Sequence, residues 1–138
     1  MAKKIKVLDI MTPNVIVANT TTPFDQIIDF FDLYNIQHLP VAENDRLIGI
    51  LSINDIMKYM VKKLKSGAAM NMASLLVTFD IKEVMTVNPV CVTPDSDFSE
   101  VIESLATGKF QSVPVVKEGL IVGIITNKDI VKFSVPNN

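Results

Sequence analysis

The chain has 138 residues, 49% of them hydrophobic, with a formal charge of −2 and a pI near 5.3. That length suits one compact domain or two small units sharing a core, and the slightly acidic balance gives no electrostatic reason to expect nucleic acid. A single cysteine, Cys91, excludes an internal disulfide framework, and no window approaches the roughly 18 apolar residues of a membrane span.

Lys3, Lys4 and Lys6 have no apolar stretch behind them, and Asp9 breaks the short run Val7-Leu8. No secretory signal is read there, and the expected location is the cytoplasm. Val15-Ile16-Val17 is a short apolar run between Pro13-Asn14 and the polar cluster Asn19 to Pro23, which predicts a brief buried strand. Thr22 then stands as N-cap, with Pro23 at the first helical position. Phe24, Ile27, Ile28, Phe31 and Tyr34 recur at helical spacing, with Asp25, Gln26, Asp29 and Asp32 largely opposite, and Asn35 ends this helix.

His38 to Ala42 and Leu47 to Leu51 read as two strands around the polar turn Glu43 to Arg46. Pro40 cannot donate to a ladder, so it belongs at an edge or a strand start. Ser52 to about Lys65 reads as a second helix, with Ile56, Met57, Met60, Val61 and Leu64 on its apolar stripe. Lys62, Lys63 and Lys65 complement the dipole near its end, and Gly67 suits the cap. Gly67 to Thr78 is rich in Ala and Met and poor in charge, so a partly helical connector is expected there, not a polar tether.

The elements then recur. Val90-Cys91-Val92 is the short strand, in which Cys91 reads as a small buried apolar residue. Phe98, Val101, Ile102 and Leu105 mark a helix face. Ser112 to Val116 and Leu120 to Ile125 form a hairpin, and a last helix begins at Thr126 and stops before Pro136. Met11 and Met85, Phe24 and Phe98, Pro40 and Pro114, Gly49 and Gly123, and Asp55 and Asp129 are each 74 residues apart. The chain is an internal repeat, with copies at 1–66 and 79–138 and a connector at 67–78. Each half is marginal in size for independent stability, so the copies are expected to pack together.

These motifs resemble the tandem CBS (cystathionine beta-synthase) domain, or Bateman module. The resemblance rests on Asp9 to Thr12 and Glu83 to Thr86 as openers, Leu39-Pro40-Val41 and Val113-Pro114-Val115 in the middle, and Gly49 to Ile56 and Gly123 to Ile130 as closers. It covers the chain from about Val7 to Phe133. It implies an α/β (α+β) fold of two pseudo-twofold-related CBS units, each a three-stranded sheet with two helices, packed through their sheets. It also implies two clefts at the join, where many members hold AMP, ADP, ATP, S-adenosylmethionine or a dinucleotide, and pairing of modules into a homodimer.

Two readings stand for Ser52-x-x-Asp55 and Thr126-x-x-Asp129. As a capping box, the hydroxyl and the carboxylate satisfy free N–H groups of the first helical turn, worth about 1 kcal/mol. As a nucleoside clamp, the carboxylate accepts from both hydroxyls of a ribose, while the helix N-terminus faces a phosphate. The two roles are compatible. Lys128 precedes Asp129 at a position often basic in the family, whereas Asn54 holds the corresponding place before Asp55. The second cleft is therefore expected to prefer a phosphorylated nucleotide, and the first to be weaker, empty or occupied by a neutral adenosine group. The plain alternative for Lys128 is a solvated helix residue.

Val15, Val17, Val90 and Val92, with Leu39-Pro40 and Val113-Pro114, would line an apolar slot for a purine or serve as ordinary core. Thr12 and Thr86 would touch the ribose or base, or cap a turn. His38, whose counterpart is Ser112, would reach a phosphate at the cleft mouth or sit half-buried in its strand. One histidine cannot build a zinc site, no metal is expected, and the methionines read as core and interface filler. No nucleophile–base pair and no glycine-rich phosphate loop is present, so no catalytic residue is assigned.

The expectation is a non-catalytic adenosine-ligand sensor with no required cofactor, AMP or ATP leading as regulatory ligand. It would act as a homodimer on a client protein, with no nucleic-acid or membrane partner. The alternative is a structural dimerisation module with empty or vestigial clefts.

Overall fold

The computed structural model describes residues 4–108 and 111–135. The element order is a 3-10 turn at Val7–Asp9, β1 (Thr12–Pro13), β2 (Ala18–Asn19), α1 (Phe24–Leu33), β3 (His38–Glu43), β4 (Arg46–Ser52) and α2 (Ile53–Ser66). Then come α3 (Met72–Thr78), α4 (Ile81–Val84), β5 (Thr86–Val87), α5 (Phe98–Ala106), β6 (Ser112–Lys117), β7 (Leu120–Thr126) and α6 (Asn127–Ser134). This is a mixed α/β fold. Pro136, read as the stop of the last helix, lies outside the described residues.

Two compact units divide the chain, and their boundaries differ from those of the repeat. The Asp129 unit takes the described residues up to Val15, Asp45–Leu47 and those from Pro89 onward. The Asp55 unit takes Ile16–Asn44 and Ile48–Asn88. Each unit therefore carries the opener of the other copy.

In the Asp129 unit, β6 and β7 form an antiparallel hairpin in the register Ser112↔Thr126, with a bulge between Val115 and Val116. Glu118 and Gly119 at its turn both take positive φ, the conformation whose twist matches a two-residue hairpin. The free edge of β7 receives β1 from the first opener, Thr12 opposite Ile124. On the far side of β6, among the described residues, only Val92 bridges, its N–H donating to the Pro114 carbonyl and its carbonyl accepting from Val116. Pro114 thus faces the nearly unpaired side of its strand, where its missing N–H costs nothing. Val7, Val101, Val113, Val115 and Ile125 fill this unit's core.

In the Asp55 unit, β3 pairs with the parallel β2 on one side and with β4 on the other, and β5 from the second opener pairs with β4, Gly49 opposite Val87. Asn44, just after β3, takes positive φ, a conformation that Asn tolerates better than most residues. Phe24, Ile27, Phe31, Leu39, Val41, Leu51 and Ile56 make the core. The period-3.6 spacing of α1 explains which residues point there, although Tyr34 at its end is exposed. α2 ends on Gly67 in the left-handed conformation, its N–H donating to the Leu64 carbonyl at 3.2 Å.

Four readings need correction. Val15-Ile16-Val17 is not a strand: the two-residue strands flank it at Thr12–Pro13 and Ala18–Asn19. Val90-Cys91-Val92 reduces to the single bridge at Val92, and Cys91 is exposed. The chain is irregular on either side of that bridge, so strict inward–outward alternation does not hold. The cap of α1 falls one residue later, on Pro23, because the Thr22 hydroxyl instead accepts from the Asn19 N–H at 2.9 Å.

Candidate functional site

In the Asp129 unit, β7 ends on Thr126, which is extended and starts α6. That geometry places Asp129 at the third helical position, where its carboxylate turns back toward the strand. Oδ2 accepts from the Thr126 N–H at 2.9 Å and from its hydroxyl at 3.3 Å. Oδ1 accepts from the Thr12 hydroxyl at 2.7 Å. Thr12 arrives there because β1 lies alongside β7. A carboxylate has roughly four lone-pair sites, so Asp129 keeps only about one unspent. Lys128 is exposed at the same helix start, with no ion pair among the described residues.

In the Asp55 unit, Ser52 and Asp55 make the reciprocal box in full. The Asp55 N–H donates to the Ser52 hydroxyl at 3.0 Å, and the Ser52 N–H donates to Asp55 Oδ2 at 2.8 Å. Thr86 sits on β5 opposite Ile50 and, among the described residues, makes no hydrogen bond to Asp55. Among the described residues, no donor reaches Asp55 Oδ1. Asn54 is exposed. His38 begins β3, half-buried, and burial lowers its pKa from the ordinary 6.5 while the negative charge of Asp55 opposes that shift.

Each unit thus carries an opener threonine, a closer hydroxyl and an acidic residue at a helix start, and among the described residues the threonine bonds the carboxylate only in the Asp129 unit. Leu39, Pro40, Val113 and Pro114, the other candidates at mid-repeat, are fully buried, and Ser112 is buried beside them in sequence. Leu39 and Val113 belong to the two cores. Val92 is buried, Val90 is exposed, and Val15 and Val17 are half-buried in irregular chain. The sequence missed a groove in the Asp55 unit, lined by Asp55 and by Lys58 and Lys62 further along α2. A lysine on a helix surface has no local signature that separates a site from solvated exterior. Among the described residues, no helix is long and apolar enough to cross a membrane, and no three His, Cys, Asp or Glu side chains are grouped to hold a metal ion.

Comparison with known proteins identifies the family. The model of the CBS domain matches residues 7–62 and 81–136. Inosine-5′-monophosphate dehydrogenase of Methanocaldococcus jannaschii is 29% identical over 126 residues, 90% of this chain and 22% of that protein. The zinc metalloprotease MJ0392 of the same organism is 30% identical over 130 residues, 94% of this chain and 32% of the relative. The chain thus spans less than a third of either relative. Among solved structures, CBSX2 in complex with AMP is 25% identical with a TM-score of 0.74, covering 94% of this chain and 95% of that one. The CBS domain pair of protein MJ0100, in complex with 5′-methylthioadenosine and S-adenosyl-L-methionine, is 26% identical with a TM-score of 0.76, covering 95% of this chain and 96% of that one. With two matched copies spanning most of its length, the chain belongs to the CBS domain family as a tandem pair.

Proposed function

We propose that this chain is a non-catalytic regulatory module that binds an adenosine nucleotide, with AMP or ATP as first candidates, and signals its occupancy to a partner protein in the cytoplasm. The reading treats 1–66 and 79–138 as the motif copies and 67–78 as their connector. One observation carries it: the Asp129 carboxylate, placed at the start of α6 between Thr12 and Lys128. A ribose diol would replace the Thr12 hydroxyl on Oδ1 or share that oxygen with it. The helix N-terminus and Lys128 would then face the phosphate. Asn54 leaves the Asp55 corner without that charge, so AMP favours the Asp129 corner. The AMP and S-adenosylmethionine complexes of CBSX2 and MJ0100 support the ligand class.

A homodimer fits the surface. Met57 and Val61 on α2 are exposed, and so are Val131 and Val135, their counterparts in the second copy. An apolar stripe repeated in both copies suits pairing with a second molecule. Signalling then requires the ligand to favour one arrangement of the pair, typically by about 1–3 kcal/mol.

A second reading, a structural dimerisation module, is favoured by the capping bonds. Asp55 and Asp129 both already serve helix starts without any ligand. A melting scan with AMP, ATP and S-adenosylmethionine separates the two. A ligand at about 100 times its dissociation constant stabilises by about 2.7 kcal/mol, whereas no shift with any adenosine compound favours the structural module.

A further inference from the structure

The apolar stripe that suits a homodimer leaves the polarity of the pair open. Met57 and Val61 recur as Val131 and Val135, so the stripe alone fits the Asp55 unit equally to its own kind or to the Asp129 unit of another molecule. Charge distinguishes the two. α1 exposes Asp25, Asp29 and Asp32, and α2 exposes Lys58, Lys62 and Lys65. Both sets follow the spacing i, i+4, i+7, which puts each in one row about 10 Å long, within about 60° of arc on its helix. Exposed apolar side chains adjoin both rows, Leu33 and Tyr34 after the last aspartate and Leu64 before the last lysine.

Neither row is neutralised within the molecule. Among the described residues the ion pairs are Lys6 with Asp95 and Lys82 with Glu43, and neither involves the rows. Like charges at i, i+3 and i, i+4 repel one another, and α1 carries no basic side chain to relieve its three aspartates. The fold does not demand this arrangement, because the corresponding helices of the Asp129 unit lack it. At the offset of 74, α5 has Ser99, Glu103 and Ala106 where α1 has its aspartates. α6 has Lys128 and Lys132 on the line matching the lysine row, and Pro136 takes the place of Lys62 in the sequence.

We propose that the Asp55 unit pairs with the Asp55 unit of a second molecule, the aspartate row of α1 on each seated against the lysine row of α2 on the other. α1 and α2 are neighbours, the ring centroids of Phe24 and Tyr59 standing 6.3 Å apart, so one twofold axis engages both contacts and closes the pair. Pairing of unlike units would set the aspartate row against Lys128 and Lys132 and the lysine row against Glu103, a weaker match. The inference rests on the homodimer reading and gives that dimer its polarity.

Sedimentation equilibrium of the full chain tests it. One variant reverses the acidic row (Asp25→Lys, Asp29→Lys, Asp32→Lys) and a second reverses the basic row (Lys58→Glu, Lys62→Glu, Lys65→Glu). Each raises the dimer dissociation constant about 100-fold or more, because both of its rows then carry one sign. Mixed in equal amounts, the two variants associate one to one with an affinity near that of the wild type, since every row again meets its opposite. The milder Asp29→Asn and Lys62→Gln each weaken the dimer about threefold, as exposed ion pairs are individually modest. All six row side chains are exposed, and thermal melting verifies that each variant is folded. Reversed variants that dimerise as the wild type does, or that separate and then fail to associate in the mixture, overturn the row assignment and leave the homodimer reading standing. A wild type that stays monomeric at every concentration overturns the homodimer reading itself, and the polarity with it.

Discussion

The Thr12 hydroxyl donates a 2.7 Å hydrogen bond to the Asp129 carboxylate, 117 residues away. The opener of the first copy is thereby fastened to the closer of the second, inside one compact unit. Its counterpart Thr86 lies along β4 but makes no such bond to Asp55. Thr12→Val should therefore lower stability by about 0.5–1.5 kcal/mol, the usual net worth of one hydrogen bond, while Thr86→Val changes it little. Urea unfolding of the two variants measures the difference.

The exchanged openers need room, and two glycines provide it. A Cβ on Gly49 would lie 2.8 Å from the Thr86 carbonyl oxygen, and one on Gly123 would lie 3.0 Å from that of Thr12. Backbone cannot retreat as a flexible side chain does. Gly49→Ala and Gly123→Ala should each destabilise by about 1–3 kcal/mol through overpacking, Gly49→Ala the more strongly. Midpoints of urea denaturation check the order.

The Tyr59 hydroxyl is buried and, among the described residues, has no hydrogen-bond partner. Its ring packs edge-on against Phe79, centroids 5.2 Å apart, and that contact survives loss of the oxygen. Tyr59→Phe should raise stability by about 1 kcal/mol, since an unsatisfied buried hydroxyl costs about 1–3 kcal/mol. A higher melting temperature than wild type is the expected result.

Burial holds the His38 pKa below 6.5. The neutral imidazole is therefore favoured in the folded state, and the unfolded chain takes up the proton first as pH falls. This contribution is fully present above pH 6.5 and is lost as pH drops from there through the folded-state pKa. His38→Gln should flatten the fall of stability across that window and leave stability above it without a pH trend from this site. Thermal melts between neutral and mildly acidic pH measure the slope.

Much of this was legible in the chain. The constant offset between Gly49 and Gly123 announced two equivalent units, and the spacing of Phe24, Ile27 and Phe31 placed α1. Ser52 and Asp55 announced their reciprocal cap, because capping is a local matter of a single helical turn. An offset gives correspondence, not contact, so the pairing of Met85 with Gly49 and Met11 with Gly123 could not be read from it. The failed strands at Val15 to Val17 and at Val90 to Val92 have a related cause. A three-residue apolar run carries too few periods to separate a strand from irregular chain that is partly covered by tertiary packing. The groove beside α2 was invisible because its two walls come from separate stretches of sequence.

The central claim is that Asp129 grips the ribose of an adenosine nucleotide. Isothermal titration of AMP into wild type, Asp129→Ala and Asp55→Ala tests it most directly. Saturable binding to wild type that is abolished in Asp129→Ala and largely retained in Asp55→Ala is the predicted result. Absence of AMP binding to wild type, or equal losses in the two variants, would contradict it.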